Sequence, residues 1–289
     1  MESRAHTATD TVASPMPITA VNFAAGLPGF TAAAQRPQAA LLIVHGLAEY
    51  ADRYAALALE LAGRGISCFA FDQRGHGGAA GPRTHIARFQ HYVADLQRVV
   101  AQVRERDPKL PLYLWGHSMG AIVVAAAAAT LPIQGAIISS NSLEVFRRGL
   151  NPLHPVLRLL AHVVPRVRVP LGLDASKISS DEAVQRAYGS DPRIARSASL
   201  RLIVEFAAAC ELIRTSAGQI RLPCLVLHGE LDAIAPAAGA QQLFDALGST
   251  DKQLIIFSGQ RHEVHNERSP VRARFVDTIS EWVLARAAS

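Results

Sequence analysis

Three cysteines in 289 residues, none in C-x-x-C spacing, leave this chain without a disulfide framework or a thiolate metal cluster. Two of them fall in apolar strand-like runs, so Cys68, Cys210 and Cys224 are expected as buried, reduced thiols. Aromatic residues are scarce at 6%, and no stripe of basic and aromatic side chains occurs. The net charge of +5 comes from scattered arginines, which excludes a nucleic-acid surface and reads as solvated charge. No apolar run is long enough to span a bilayer, and residues 1–16 lack the apolar region of a signal peptide. A cytoplasmic protein with a disordered tail over residues 1–16 is the expectation. The glycine-rich segment Asp72–Gly78 has neither G-x-x-x-x-G-K-[ST] nor G-x-G-x-x-G spacing, so it is read as a structural turn and not a nucleotide loop. His76, His85 and His91 lack the spacing and supporting carboxylates of a zinc site. Neither metal nor cofactor is expected.

What the chain does have is apolar mass, 49% of its residues, and a regular rhythm. Short apolar runs alternate with helical stretches: 40–44 then 51–63, 66–71 then 89–107, 112–115 then 121–131. The rhythm returns at 136–139, 224–227 and 253–257, and closes with a helix over 271–286. Such βαβ repetition predicts a parallel sheet in one large α/β domain. Residues 141–221 break the pattern, with many prolines and arginines and no strand alternation, and read as a helical cap inserted over the strand ends. The core is then 17–140 and 222–289.

Ligands of such sheets bind beyond the carboxyl ends of the strands, and the most informative residues stand there. Gly116-His117-Ser118-Met119-Gly120 follows a buried strand and opens an alanine-rich helix, which is the G-x-S-x-G nucleophile elbow. Side chains at Gly116 and Gly120 would collide with neighbouring backbone, and the turn lifts the Ser118 hydroxyl clear of the sheet. A serine hydroxyl needs a base and a group that fixes the base's tautomer. Asp232 follows the strand at 224–227 and His262 the strand at 253–257, so they take the roles of orienting acid and general base, ahead of Glu230 and His265. The amides of Met119, at the helix start, and Leu47, in the His45-Gly46-Leu47 loop, are the expected oxyanion donors.

Together with Glu49-Tyr50, Arg53-Tyr54, Asp72-Gln73-Arg74-Gly75-His76-Gly77, Tyr188-Gly189-Ser190-Asp191-Pro192 and His262-Glu263-Val264-His265-Asn266-Glu267, these motifs resemble the monoacylglycerol lipase and lysophospholipase-like branch of the α/β-hydrolases, from about Ala40 to the C-terminus. The resemblance implies the α/β-hydrolase fold, with a mostly parallel eight-stranded sheet flanked by helices and a helical cap. It also implies that Glu49, Arg53, Tyr188 and His265 meet the glycerol end of the substrate. Ala121, Gly78 and Ala48 depart from the family pattern, and the two alanines narrow the space near the oxyanion, which leaves acyl length open.

Between Glu144 and Asp174 the cap carries Leu150, Leu153, Val156, Leu157, Leu159, Leu160, Val163 and Val164 with five arginines against two acidic residues. Two readings stay open: packing against the core, or a surface that lies on an anionic bilayer. The expected activity is a serine carboxylic ester hydrolase, cleaving monoacylglycerol to fatty acid and glycerol through an acyl-serine. Alternatives are a lysophospholipase or general carboxylesterase, and a non-catalytic ligand-binding homologue.

Overall fold

The computed structural model of the protein describes residues 17–147 and 151–288. The tail expected over residues 1–16 lies outside them, as do Arg148 and Leu150 of the cap.

In chain order the elements are β1 (Thr19–Phe23), β2 (Leu27–Ala32), β3 (Ala39–Val44), α1 (Ala55–Ala62), β4 (Ile66–Phe71), α2 (Gln90–Arg106), β5 (Leu112–His117), α3 (Met119–Ala128) and β6 (Gly135–Ser139). They continue with α4 (Pro155–Val163), β7 (Arg168–Pro170), α5 (Glu182–Ser190), β8 (Ser197–Ser199), α6 (Leu200–Ser216), β9 (Cys224–Gly229), α7 (Ala238–Ala246), β10 (Lys252–Phe257) and α8 (Val271–Ala287). Eight strands form one sheet in the order β1-β2-β4-β3-β5-β6-β9-β10. The antiparallel pairs are β1 with β2 and β2 with β4; the five other neighbouring pairs are parallel, so β2 alone runs against the rest.

Alternate residues of the central strands feed opposite cores, because side chains on a strand point to opposite faces in turn. Leu42 and Val44, Leu112 and Leu114, Ile138 and Val226 pack with α2, α3 and α7 on one face. Leu41 and Ile43, Tyr113 and Trp115, Ile137 and Leu225 pack with α1 and α8 on the other. Burial on both faces is why these strands read as continuous apolar runs.

Two features depart from the sequence expectation. The insertion between β6 and β9 is not wholly helical: β7 and β8 pair antiparallel, Arg168 opposite Ser199 and Pro170 opposite Ser197. Its last helix, α6, is also a core element, since Leu202, Phe206, Cys210 and Ile213 join the same apolar cluster as α3.

Candidate active site

The carboxyl ends of β3, β5, β6, β9 and β10 lie along one edge: Val44 is opposite Gly116, His117 opposite Ser139, and Phe257 opposite Gly229. The residues that follow these ends converge on one cavity.

Ser118 sits between β5 and α3 with φ 55° and ψ −115°, a left-handed backbone that a non-glycine residue adopts at a cost of about 1–3 kcal/mol. The glycines allow it. A Cβ on Gly116 would stand 2.3 Å from the Gly120 carbonyl oxygen, and one on Gly120 would stand 2.0 Å from the Val44 oxygen. The turn is held from beneath by the Ser118 amide, which donates to the Ser139 carbonyl at 3.0 Å. Ser118 Oγ lies 3.5 Å from Ser142 Oγ in the loop after β6.

His262 and Asp232 meet as the strand order predicts. His262 Nδ1 donates to Asp232 Oδ2 at 2.7 Å, which leaves Nε2 with its lone pair. Asp232 Oδ1 accepts from the amides of Ile234 and Ala235 at 2.9 and 2.8 Å, so the carboxylate also caps its own loop. Burial raises the Asp232 pKa, but His262 and the hydrogen bond from His228 outweigh it and hold the carboxyl well below its ordinary range. Burial likewise pulls His262 down, yet the Asp232 charge and hydrogen bond win and its pKa stands above the ordinary imidazole value. His228, which the sequence reading placed between the strand at 224–227 and Asp232 without a role, has its Nε2 3.2 Å from Asp232 Oδ2. Ser140, the residue after β6, also had no role in the sequence reading; its hydroxyl donates to the His262 carbonyl at 2.7 Å.

Of the expected oxyanion donors, Met119 follows Ser118 in the chain and Leu47 follows Gly46, on which a Cβ would lie 3.1 Å from Ser118 Cβ. Met119 opens α3, where amides have no acceptor within the helix. Leu47 is on the cavity wall. Its loop is braced from two sides and by a bond of its own. His45 Nδ1 donates to the Gly46 carbonyl at 2.8 Å while its Nε2 accepts from the Gln73 amide at 2.9 Å. The Asp72–Gly78 turn is therefore a buttress for this loop. Ala48 takes φ 71°, where its methyl costs about 1–2 kcal/mol relative to glycine. Its carbonyl accepts from the Ala195 amide of the insertion at 2.9 Å.

The four residues expected at the head group separate. Glu49 and Tyr188 line the cavity. Arg53 lies below them, its guanidinium 5.1 Å from the Tyr188 ring centre, and is paired with Glu49 and Glu263. His265 is not on the wall: it is buried behind His117, ring centres 4.8 Å apart, and stacked on Tyr54 at 5.0 Å. Burial, then the neighbouring His117, drive its pKa down to about 3, so it is neutral. Glu263 does line the cavity, and the sequence reading passed it over.

The cavity measures about 320 Å³. Ser118, His262, Glu49, Glu263 and Tyr188 lie on its wall, and Phe146, Leu171, Leu173, Ile203, Phe206 and Ile234 supply apolar surface. Among the described residues no cluster of three or more His, Cys, Asp or Glu side chains is placed to hold a metal ion.

A family model described as serine aminopeptidase, S33, matches residues 35–269. The chain belongs to this S33 hydrolase family. Its relatives include the monoacylglycerol lipase of Mycolicibacterium smegmatis, 31% identical over 255 residues, covering 86% of this chain and 89% of the relative. The human monoglyceride lipase is 30% identical over 259 residues, covering 88% and 84% of the two chains. Among solved structures, a soluble variant of the Saccharomyces cerevisiae monoglyceride lipase in complex with a substrate analogue superposes with a TM-score of 0.81 at 27% identity, covering 95% of this chain and 96% of that one. The Paleococcus ferrophilus monoacylglycerol lipase gives 0.78 at 28%, covering 89% and 99%. This S33 member thus has the α/β-hydrolase fold and is a carboxylic ester hydrolase.

Proposed function

We propose that the protein hydrolyses monoacylglycerols to fatty acid and glycerol by an acyl-serine mechanism. The observation that carries this is the buried 2.7 Å pair of His262 and Asp232 sharing a cavity with the strained elbow serine. Ser118 Oγ attacks the ester carbonyl as His262 Nε2 takes its proton, and the Asp232 carboxylate stabilises the imidazolium. The amides of Leu47 and Met119 receive the oxyanion, an interaction of roughly 3 kcal/mol per donor in comparable sites. His262 then protonates the departing glycerol oxygen, and a water activated by the same nitrogen releases the acid. The apolar wall from Phe146 to Ile234 suits an acyl chain, and the acceptors Glu49 and Glu263 suit a polyol. The names of the relatives support this choice of ester.

The test is fatty-acid release from monoacylglycerols, short p-nitrophenyl esters and lysophosphatidylcholine, with Ser118→Ala as control. A preference for monoacylglycerol that disappears in the variant is expected. Turnover of short esters alone would remove the lipase assignment and leave an esterase.

The substrate is a membrane lipid, and α4 offers a surface for it. Val156, Leu159 and Val163 are 56%, 64% and 69% exposed. The stretch from His154 to Arg168 holds three arginines and no acidic residue. We infer that this apolar, basic helix rests on an anionic bilayer and takes monoacyl lipids from it. No helix among the described residues is long and apolar enough to cross a membrane.

A further inference from the structure

Arg53 is the cation paired with the carboxylates at the polar end of the cavity, and its guanidinium is already committed; Arg196, 5.5 Å from the Tyr188 ring centre, donates to the Tyr188 and Gly189 carbonyls. Arg53 Nη1 donates to Glu49 Oε2 at 2.5 Å and to Glu263 Oε1 at 2.6 Å, and Nη2 donates to Glu263 Oε2 at 2.6 Å. Two buried carboxylates thus face one guanidinium, and both carboxylates line the cavity while Arg53 does not. Glu49 accepts further hydrogen bonds from the Gly46 amide and the Tyr54 hydroxyl, and Glu263 from Asn266 Nδ2. A carboxylate has about four acceptor positions, so each retains one for a donor from the substrate. The corner is close to the nucleophile: a Cβ placed on Gly46 would lie 2.7 Å from Glu49 Oε1 and 3.1 Å from Ser118 Cβ. Burial opposes ionisation of Glu263, but Arg53 overrides it and keeps the carboxyl charged. Lys177 also lines the cavity, but it is exposed, where solvent screens its charge.

We propose that Glu263 is a specificity-determining residue: with Glu49 it makes the head-group corner an acceptor-rich, net anionic surface that admits neutral polyol monoesters and rejects esters carrying an anionic phosphate on the alcohol. A polyol supplies the hydroxyl donors that the free acceptor positions need. A phosphate supplies none and brings like charge against a carboxylate excess that Arg53, already bonded, cannot neutralise. This rests on the ester-hydrolase reading above, and it separates a monoacylglycerol substrate from a lysophosphatidate by chemistry within the site.

The experiment compares kcat/KM for 1-acylglycerol and 1-acylglycerol 3-phosphate of equal chain length in wild type, Glu263→Gln and Glu263→Asp. Wild type should favour the neutral ester by about a hundredfold, the factor a like unit charge about 6 Å away imposes at an effective dielectric of about 20. Glu263→Gln removes that one unit of excess charge and should abolish most of the preference, through KM for the phosphate ester, and Glu263→Asp should keep it. A purely structural role would lower both substrates together and leave the ratio unchanged. Equal turnover of the two esters by wild type, or an unchanged ratio in Glu263→Gln, overturns the proposal. A second measurement needs no variant and no lipase activity: competition by glycerol and by glycerol 3-phosphate against p-nitrophenyl butyrate. Glycerol should compete better at equal concentration, and stronger inhibition by the phosphate overturns charge selection. Turnover of p-nitrophenyl butyrate without turnover of either acylglycerol would defeat the lipase reading while this competition still decides the charge question.

Discussion

A histidine acts as a base only while one ring nitrogen keeps its lone pair, and at His262 the hydrogen bond from Nδ1 to Asp232 decides which nitrogen that is. The same carboxylate lifts the His262 pKa against the pull of burial. Since the base must be neutral, kcat/KM should fall as pH drops through that raised pKa, with a midpoint above the ordinary imidazole value of about 6.5. Asp232→Asn removes the charge and admits the wrong tautomer, so kcat should fall by about 10³ to 10⁴ and the acid limb should move to lower pH. A pH profile of the variant with an unmoved limb would show that Asp232 does not set the pKa of the base. At this scale the sequence was most legible where chain order and strand ends constrain chemistry: Ser118, Asp232 and His262 each stand in the segment that follows a strand. It was least legible at the polar end of the cavity. There a spacing of four residues could not say that Arg53 turns towards Glu263, 210 positions away, nor that His265 is drawn inward to stack on Tyr54.

Among the elements, α3 shows how local sequence and function are joined. It is buried from Met119 to Ala125, and its small side chains at Gly120, Ala121 and Ala125 let it lie close to the sheet after Ser118. The parallel strands were readable because burial on both faces leaves unbroken apolar runs. β1 and β2 were not. β1 is largely exposed, and β2 carries Pro28 and Gly29, residues that argue against a strand unless it lies near a sheet edge. Gly29 is there because the chain passes so near β4 that a Cβ would stand 2.1 Å from the Ala70 oxygen. Within residues 144–174, for which core packing and bilayer contact were both open, Leu159 and Val163 of α4 are 64% and 69% exposed and so do not pack on the core. If α4 docks on lipid, Leu159→Ser with Val163→Ser should leave the thermal midpoint unchanged, because neither side chain is buried. The same pair should reduce flotation with anionic vesicles several-fold. Equal flotation of wild type with neutral and anionic vesicles, or of wild type with the double variant, would remove α4 as the docking element.

Across the whole molecule, insertion and core are built as one unit around the cavity. α6 shares the apolar cluster of α3, the Ala195 amide binds the Ala48 carbonyl of the oxyanion loop, and Arg193 donates to the Tyr50 hydroxyl at 2.6 Å. The loop proposed to receive the oxyanion is thus held by the Asp72–Gly78 turn on one side and by the insertion on the other. Such preorganisation is what makes charge stabilisation by fixed amides effective. The account stands on Ser118 as the atom that takes the acyl group. The most direct test is to mix the protein with a monoacylglycerol, quench in acid within the first turnover, and map the peptides by mass. An increment equal to the fatty acid less one water, on the peptide that carries Ser118, is the predicted result. Release of fatty acid with no adduct, or an adduct on another residue, would contradict it.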